Sequence, residues 1–295
     1  MNDNSWLIVS NRFSGRGRAS VRSSSLKEKL QARGHFATEV SGSTLESCLV
    51  ELRASLVNNS PRGILIVGGD GLVNAVVSEV HKAAGDTPIL VVAEGTANDF
   101  SRTCGTFGLS DDNLIDLICR RDPHRLDLLL IDERPCVEIA ATGFDANVNR
   151  RANAMRRVKG KLKYVVAMLQ ELTRLKATSY RLILDGNERA FEALFVAVAN
   201  STSYGGGMRI SPNSSPHDGL IEVAVLEPVS RFELLRVFPK VFSGTHIDHP
   251  RFKVYRGAEG RLEAETSVYA DGEDFGTLPI DFRVLPNAIR VWKSL

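Results

Sequence analysis

At 295 residues and 43% hydrophobic content, the chain is long enough to bury a sizeable core and fits two modest domains better than one. Its 37 Lys and Arg stand against 35 Asp and Glu, a net charge of +2, which excludes a chain-wide bias toward nucleic acid and leaves any basic partner surface local. No apolar run approaches the roughly 18 residues of a spanning helix, and no basic region followed by a long apolar core opens the chain, so neither a membrane span nor a leader is expected.

In chain order, residues 6–10 read as a short strand entering a Gly-rich segment from Asn11 to Arg18, and residues 25–33 carry helical periodicity. Residues 63–67 form an apolar run short enough for a buried strand, broken by Gly68-Gly69-Asp70-Gly71, with a helical pattern over 72–83. Residues 89–93 repeat the theme and give way to Glu94-Gly95-Thr96-Ala97-Asn98-Asp99 and another helical turn. Three strand-loop-helix units imply an α/β domain with a parallel sheet over residues 1–125. Beyond it the rhythm becomes β-rich, with strand-like runs at 125–131, 136–142, 180–184, 191–199 and 220–226, so residues 126–286 are assigned to a second, all-β-rich domain. One helix interrupts it over 161–175, where Leu162, Val165, Val166, Leu169 and Leu172 form an apolar stripe.

Cys48, Cys104, Cys119 and Cys136 have no CxxC spacing and lie in apolar or helical surroundings, so reduced, buried thiols in a cytoplasmic protein are expected rather than zinc or disulfides. His246 and His249 lack a third ligand and are read as loop residues. Asn200-Ser201-Thr202 matches the glycosylation pattern by chance. Arg150, Arg151, Arg156, Arg157, Lys159, Lys161 and Lys163 form the clearest charge cluster, with no acid among them. It is either an anionic-membrane contact or a solvated helix face; nucleic acid ranks below both because stacking aromatics are nearly absent there.

A Gly-rich turn after a buried strand leaves backbone N–H groups pointing outward, and the following helix adds the positive end of its dipole, which together make a phosphate cradle. One such turn can equally be a tight strand-to-helix connection. Three, at Ser14-Gly15-Arg16-Gly17, Gly68 to Gly71 and Gly95-Thr96, would converge at the carboxyl ends of parallel strands, where open α/β sheets bind ligands. The Walker and dinucleotide glycine patterns are both absent.

Asn11-x-x-Ser14-Gly15-x-Gly17, Gly68 to Gly71 with Asn74 beyond it, and Gly95-Thr96-Ala97-Asn98-Asp99-Phe100 resemble, in order and spacing, the motifs of the diacylglycerol kinase catalytic domain family, which also includes sphingosine kinases. Gly143-Phe144-Asp145, Tyr204 to Arg209, His217-Asp218-Gly219-Leu220 and Asp271-Gly272-Glu273 are similar to its later motifs, so the resemblance covers nearly the whole chain. It implies an N-terminal nucleotide-binding domain related to NAD kinases and phosphofructokinases, a C-terminal β-sandwich, ATP in the cleft between them, Mg²⁺, and a final strand, residues 287–295, returning to the first domain.

The resemblance further implies nucleotide contacts at Asn11, Ser14, Gly15, Gly17, Gly69, Asp70, Gly71, Gly95, Thr96, Asn98 and Glu273, with Ser41 the nearest match for an adenine-side Thr. Phosphoryl transfer needs a carboxylate to receive the hydroxyl proton; Asp271 is assigned that role and Asp70 the Mg²⁺ and phosphates, although an Asp-Gly pair read alone is a β-turn. Asp218, with Ser215 and Leu220, resembles a structural Mg²⁺ loop, or is a plain turn. Gly143, Phe144 and Asp145 are assigned to the lipid. The chain departs from the family at Leu72, Ala75, Ala93 and Glu94, the last bringing a negative charge near an expected phosphate unless it points away. The expected function is an ATP-dependent lipid kinase with peripheral membrane contact, acting on diacylglycerol, a sphingoid base or phosphatidylglycerol. A non-catalytic nucleotide or lipid sensor and a soluble-substrate kinase are the alternatives, and a homodimer is left open.

Overall fold

A computed structural model describes residues 5–10, 17–40, 42–58, 60–83, 85–155, 166, 167 and 170–294. The chain divides into two compact units, residues 1–127 with 286–295, and residues 128–285.

In the first unit four parallel strands, β1 (Ser5–Ser10), β2 (Phe36–Val40), β3 (Gly63–Gly68) and β4 (Ile89–Ala93), lie in the order β2-β1-β3-β4. Every residue of β3 is buried, as expected for a parallel strand covered on both faces. The helices bury one stripe each. In α1 (Arg18–Gln31) the stripe is Ala19, Ser23, Leu26 and Leu30, and in α3 (Asp70–Lys82) it runs from Leu72 and Val73 to Val76, Val77 and Val80. Between them in sequence α2 (Leu45–Asn58) buries Cys48 and Leu52, and α4 (Asp99–Thr103) is a short turn. The helix α5 (Asp111–Arg120) is capped by Ser110, whose Oγ accepts from the Asn113 N–H at 3.3 Å, and its first turn carries Asp111 and Asp112. Near the C-terminus Val291 pairs with Ile89, and the Trp292 ring meets Trp6 at 5.2 Å while its Nε1–H donates to the Arg121 carbonyl at 2.9 Å. Burying each of the two tryptophans contributes on the order of 4 kcal/mol.

The second unit is a β-sandwich. One antiparallel sheet has the order β12 (Phe252–Gly257), β11 (Ile221–Leu226), β10 (Phe195–Ala199), β7 (Ile139–Gly143), β14 (Ser267–Ala270), β15 (Glu273–Thr277). The other joins β6 (Arg134–Cys136), β5 (His124–Ile131), β16 (Ile280–Val291), β13 (Glu259–Glu263), β8 (Thr178–Leu184) and β9 (Asn187–Ala193). Alternate residues from both sheets, among them Tyr180, Leu182, Leu184, Ile221, Val223, Val225, Val268 and Phe282, form the core between them. The opposite face of the first sheet, with Ala197, Ala224 and Leu226, packs against Leu234 of α7 (Arg231–Val237) and against Val241, Leu172 and Leu175. That second apolar layer explains why β10 and β11 are buried at every residue.

Two strand-like runs are cut. The run at 136–142 breaks between Cys136 and Ile139, and the run at 191–199 breaks at Leu194, whose N–H donates to the Leu226 carbonyl.

Candidate active-site elements

In the first unit the chain switches direction across the sheet between β1 and β3, and the loops after β3 and β4 meet at the carboxyl ends of their strands. Gly69 is extended and caps α3, which begins at Asp70. A Cβ on Gly95 would lie 2.4 Å from the Gly69 Cα, and one on Gly69 would lie 3.0 Å from the Gly95 Cα, so the two backbones touch, Gly95 has no room for a side chain and Gly69 is tight. The Glu94 N–H donates to the Gly68 carbonyl at 2.9 Å. Asn98, in the left-handed region at φ 57°, folds over the second loop, accepting from the Gly95 N–H at 2.8 Å and donating Nδ2–H to its carbonyl at 2.9 Å. Gly69, Asp70, Gly95 and Asn98 are thus brought together. Thr96 stands exposed beside them.

Asp70 Oδ1 accepts from the Phe100 N–H at 3.2 Å, and burial raises its carboxyl above the ordinary carboxylate range, helped by the Asp99 charge. Carboxylate oxygens of Asp70 and Asp99 lie within 4.8 Å of each other. A pair of hard oxygen ligands, Asp70 half-buried and Asp99 buried, suits Mg²⁺, whose charge would relieve the repulsion between them, so the residues present fit the ion. One turn along α3 from Asp70, the buried Asn74 Oδ1 has no hydrogen-bond partner among the described residues; the sequence motif contained it, but only burial marks it out as a polar group without a structural duty. Glu94 is held by arginine. Arg22 Nη1 donates to Glu94 Oε1 and to the Ala93 carbonyl, each at 3.0 Å, while its Nε holds Asp111 at 2.8 Å; Arg18 lies 3.9 Å from the same Glu94 carboxylate. This neutralisation was not readable from the local motif.

In the second unit Asp271 and Gly272, at φ 50° and 82°, form the two-residue turn between β14 and β15. The turn and the special role coexist, because the Asp271 side chain points inward and is buried. Its Oδ2 accepts from Val137 N–H at 2.8 Å and its Oδ1 from Glu138 N–H at 3.1 Å and Ile139 N–H at 3.4 Å, with the Cys136 thiol also donating at 3.4 Å. The break in the 136–142 run is where these amides turn to the carboxylate. Burial outweighs those donors and raises Asp271 to about 6. Glu273 is exposed at the start of β15.

Models of two families match the chain: the diacylglycerol kinase catalytic domain over residues 5–131 and the YegS C-terminal NAD kinase beta sandwich-like domain over residues 138–293. A diacylglycerol kinase of Mycobacterium tuberculosis (strain CDC 1551 / Oshkosh) is 33% identical over 96% of this chain and 93% of its own. The chain belongs to the diacylglycerol kinase family. A diacylglycerol kinase of Staphylococcus aureus (strain JH9) is 23% identical over 90% of this chain and 84% of its own. Two solved structures from Bacillus anthracis str. Sterne match in fold over 99% of this chain, one with a TM-score of 0.81 at 19% identity and 95% of its length, the other, a diacylglycerol kinase, 0.73 at 16% and 97%. Membership makes the chain a kinase. Among the described residues no helix is long and apolar enough to cross a membrane.

Several positions expected from the diacylglycerol kinase motifs lie outside the described residues: Asn11, Ser14, Gly15, Ser41, and Arg156 to Lys163 of the basic stretch, with part of the 161–175 helix. Gly17 is described and caps α1 in the left-handed region at φ 88°. Gly71 lies within α3 and has no positive φ; the close approach belongs to Gly69 and Gly95. Gly143 has φ 74°, and a Cβ there would meet the Leu194 carbonyl at 2.5 Å; Phe144 starts α6 (Phe144–Ala154) half-buried, and the side chain of Asp145 lies outside the described residues.

In the Asp218 loop the carboxylate has protein partners. Asp218 Oδ1 accepts from Leu220 N–H at 3.1 Å, its Oδ2 pairs with Arg256, which also lies 3.5 Å from Glu222, and Ser215 is half-buried nearby in sequence. Cys119 is exposed, against the expectation of four buried thiols; Cys48, Cys104 and Cys136 are buried, and none of the four is in a disulfide. Asn200 is buried and unavailable for glycosylation. His246 faces the Ile210 carbonyl and His249 faces Glu233, so the pair shares no metal position.

Proposed function

We propose that this kinase transfers the γ-phosphate of ATP to a lipid hydroxyl, with diacylglycerol the first acceptor to test and sphingoid bases and phosphatidylglycerol next. The observation that carries it is the contact of the Gly69 and Gly95 backbones under the Asn98 clamp, which lays two loop backbones side by side without side chains between them. Those loops, with the N-terminal turn of α3, would hold the nucleotide phosphates, and Gly17 and Thr96 are further contacts. Asp70 and Asp99 would hold Mg²⁺, which when bound withdraws charge from the transferring phosphoryl group. Asn74 is a further polar group for that shell.

Asp271 is proposed as the base. A carboxyl raised to about 6 is still ionised at neutral pH yet takes a proton more readily than an ordinary aspartate, which is the balance general base catalysis needs. Its hydrogen bonds to residues 137–139 fix the orientation of the carboxylate. The Arg22 pairing of Glu94 removes the principal electrostatic objection to nucleotide binding and so weighs against the sensor alternative.

The test is one incubation with γ-labelled ATP, Mg²⁺ and mixed micelles of the candidate lipids, followed by organic extraction. Label in the organic phase is expected. Label confined to an aqueous product would make the acceptor soluble, and no transfer at all would favour a sensor.

A further inference from the structure

A surface helix that packs on a core normally carries polar residues on its outer side. On the helix α7 and the 3₁₀ turn after it, Phe238–Phe242, large apolar residues share that side with the charged ones. Leu234, Val237 and Val241 are buried, the first and last of them against the sandwich. On the other side Phe232 is 81% exposed, Leu235 41% and Phe242 54%, spaced so that 232 and 235 stack one turn apart. Phe238 meets Phe242 edge-on at 6.2 Å and extends the apolar strip. Leaving aromatic rings of this size in water carries a cost that the fold itself does not require.

The charges on this segment are mainly basic. Residues 231–242 contain Arg231, Arg236 and Lys240 against Glu233 alone, and the Glu233 carboxylate faces His249 at 3.1 Å and accepts from the Ser230 N–H at 3.4 Å. Arg231 donates to the Thr173 carbonyl at 2.8 Å, which fastens this segment to residues 170–175 and leaves Arg236 and Lys240 exposed on the strip's border. Phe144, assigned above to the lipid, packs into the same apolar layer as Leu234 and Val241.

We propose that the outer face of α7 and its 3₁₀ extension docks on an anionic lipid bilayer, with Phe232, Leu235 and Phe242 entering the headgroup boundary and Arg236 and Lys240 meeting lipid phosphates. Exposed aromatic and aliphatic side chains bordered by Lys and Arg are what an interfacial segment needs. The choice of a bilayer over another partner rests on the lipid-kinase reading, since an acceptor with long acyl chains has to be collected from a membrane.

The full chain is tested by sedimentation with vesicles of phosphatidylglycerol and phosphatidylcholine, and with phosphatidylcholine alone. Wild type is expected to bind the mixed vesicles. The Phe232→Ser, Leu235→Ser, Phe242→Ser variant should bind at least ~10-fold more weakly. Arg236→Glu with Lys240→Glu should lose the preference for anionic vesicles, and added salt should do the same to wild type. Because the triple variant could unfold, Phe232→Ser alone, at the most exposed position, is run beside it and should keep the wild-type melting temperature while losing several-fold in binding. Both apolar variants should retain wild-type rates on a short-chain diacylglycerol dispersed as monomers. Vesicle binding unchanged by these substitutions, or no binding by wild type, overturns the proposal; so does a wild-type dimer that the triple variant dissociates while vesicle binding persists, because the face would then belong to a second copy. If the protein phosphorylates no lipid yet binds vesicles through this face, the function above fails and the docking surface stands.

Discussion

Replacing Asp271 by Asn is nearly isosteric but not neutral, because both carboxylate oxygens accept from backbone N–H groups. An amide offers one acceptor and one donor. In its better orientation Oδ1 keeps Glu138 and Ile139, and the new NH₂ faces the Val137 N–H, leaving that donor unpaired at a cost of ~1–3 kcal/mol. Against this, the variant no longer buries a charge. Raising the carboxyl from the ordinary 3.8 to about 6 corresponds to ~3 kcal/mol of penalty on the charged form at neutral pH. The two effects oppose each other, so the melting temperature at pH 7 should move by only a few degrees. Their pH dependence differs. A group raised in the fold contributes stability in full below its unfolded value, and that contribution is lost as pH rises through the folded value, here about 6. Taking wild type from pH 7 to pH 5 should therefore stabilise it by ~1.4 kcal/mol, roughly 3–5 °C, relative to Asp271→Asn. Melting both proteins at the two pH values measures this directly, and turnover should meanwhile drop by roughly 10² to 10⁴ in the variant with ATP affinity nearly unchanged. A melting difference that does not change with pH would refute the raised carboxyl, and normal turnover would remove Asp271 as the base.

The wild-type rate should fall as pH drops through about 6, with the low-pH limb absent from the residual activity of Asp271→Asn. Gly95→Ala places a Cβ 2.4 Å from the Gly69 backbone and should weaken ATP binding at least ~10-fold by calorimetry, whereas Gly71→Ala, inside α3, should keep the fold and the melting temperature. Arg22→Met removes the close cation partner of the half-buried Glu94 and Asp111 and should cost about 1–3 kcal/mol; adding Glu94→Gln should restore part of the stability and most of any ATP affinity lost, as a double-mutant cycle would show. Asp70→Asn should lower both turnover and Mg²⁺-dependent ATP binding, and wild-type nucleotide affinity in that variant would separate Asp70 from the phosphates.

The strands β3 and β4 were legible because a parallel strand buried along nearly all its length is an unbroken apolar run with glycine close after it. The strand β2 was not, since Phe36 and Thr38 face solvent and the five residues include a charged Glu39. The hairpins from Phe252 onward escaped for a related reason: Lys253, Arg256, Glu259 and Arg261 break the apolar pattern of strands that bury only one face. The motifs located Gly69, Gly95, Asp70 and Asp271, yet no spacing could tell that Arg22 reaches across 72 positions to Glu94, or that Val137 and Glu138 leave their strand to hold a carboxylate 134 residues away. The exposed face of α7 was invisible for the opposite reason, because a run of Phe, Leu and Val reads as core until burial separates its two sides.

The central claim is tested most directly by measuring, in one reaction with diacylglycerol micelles and MgATP, the ADP released and the phosphorylated lipid formed. The account predicts that the two appear in equal amounts and that both require the acceptor lipid. ADP release without lipid phosphate, across diacylglycerol, sphingoid base and phosphatidylglycerol alike, would contradict it.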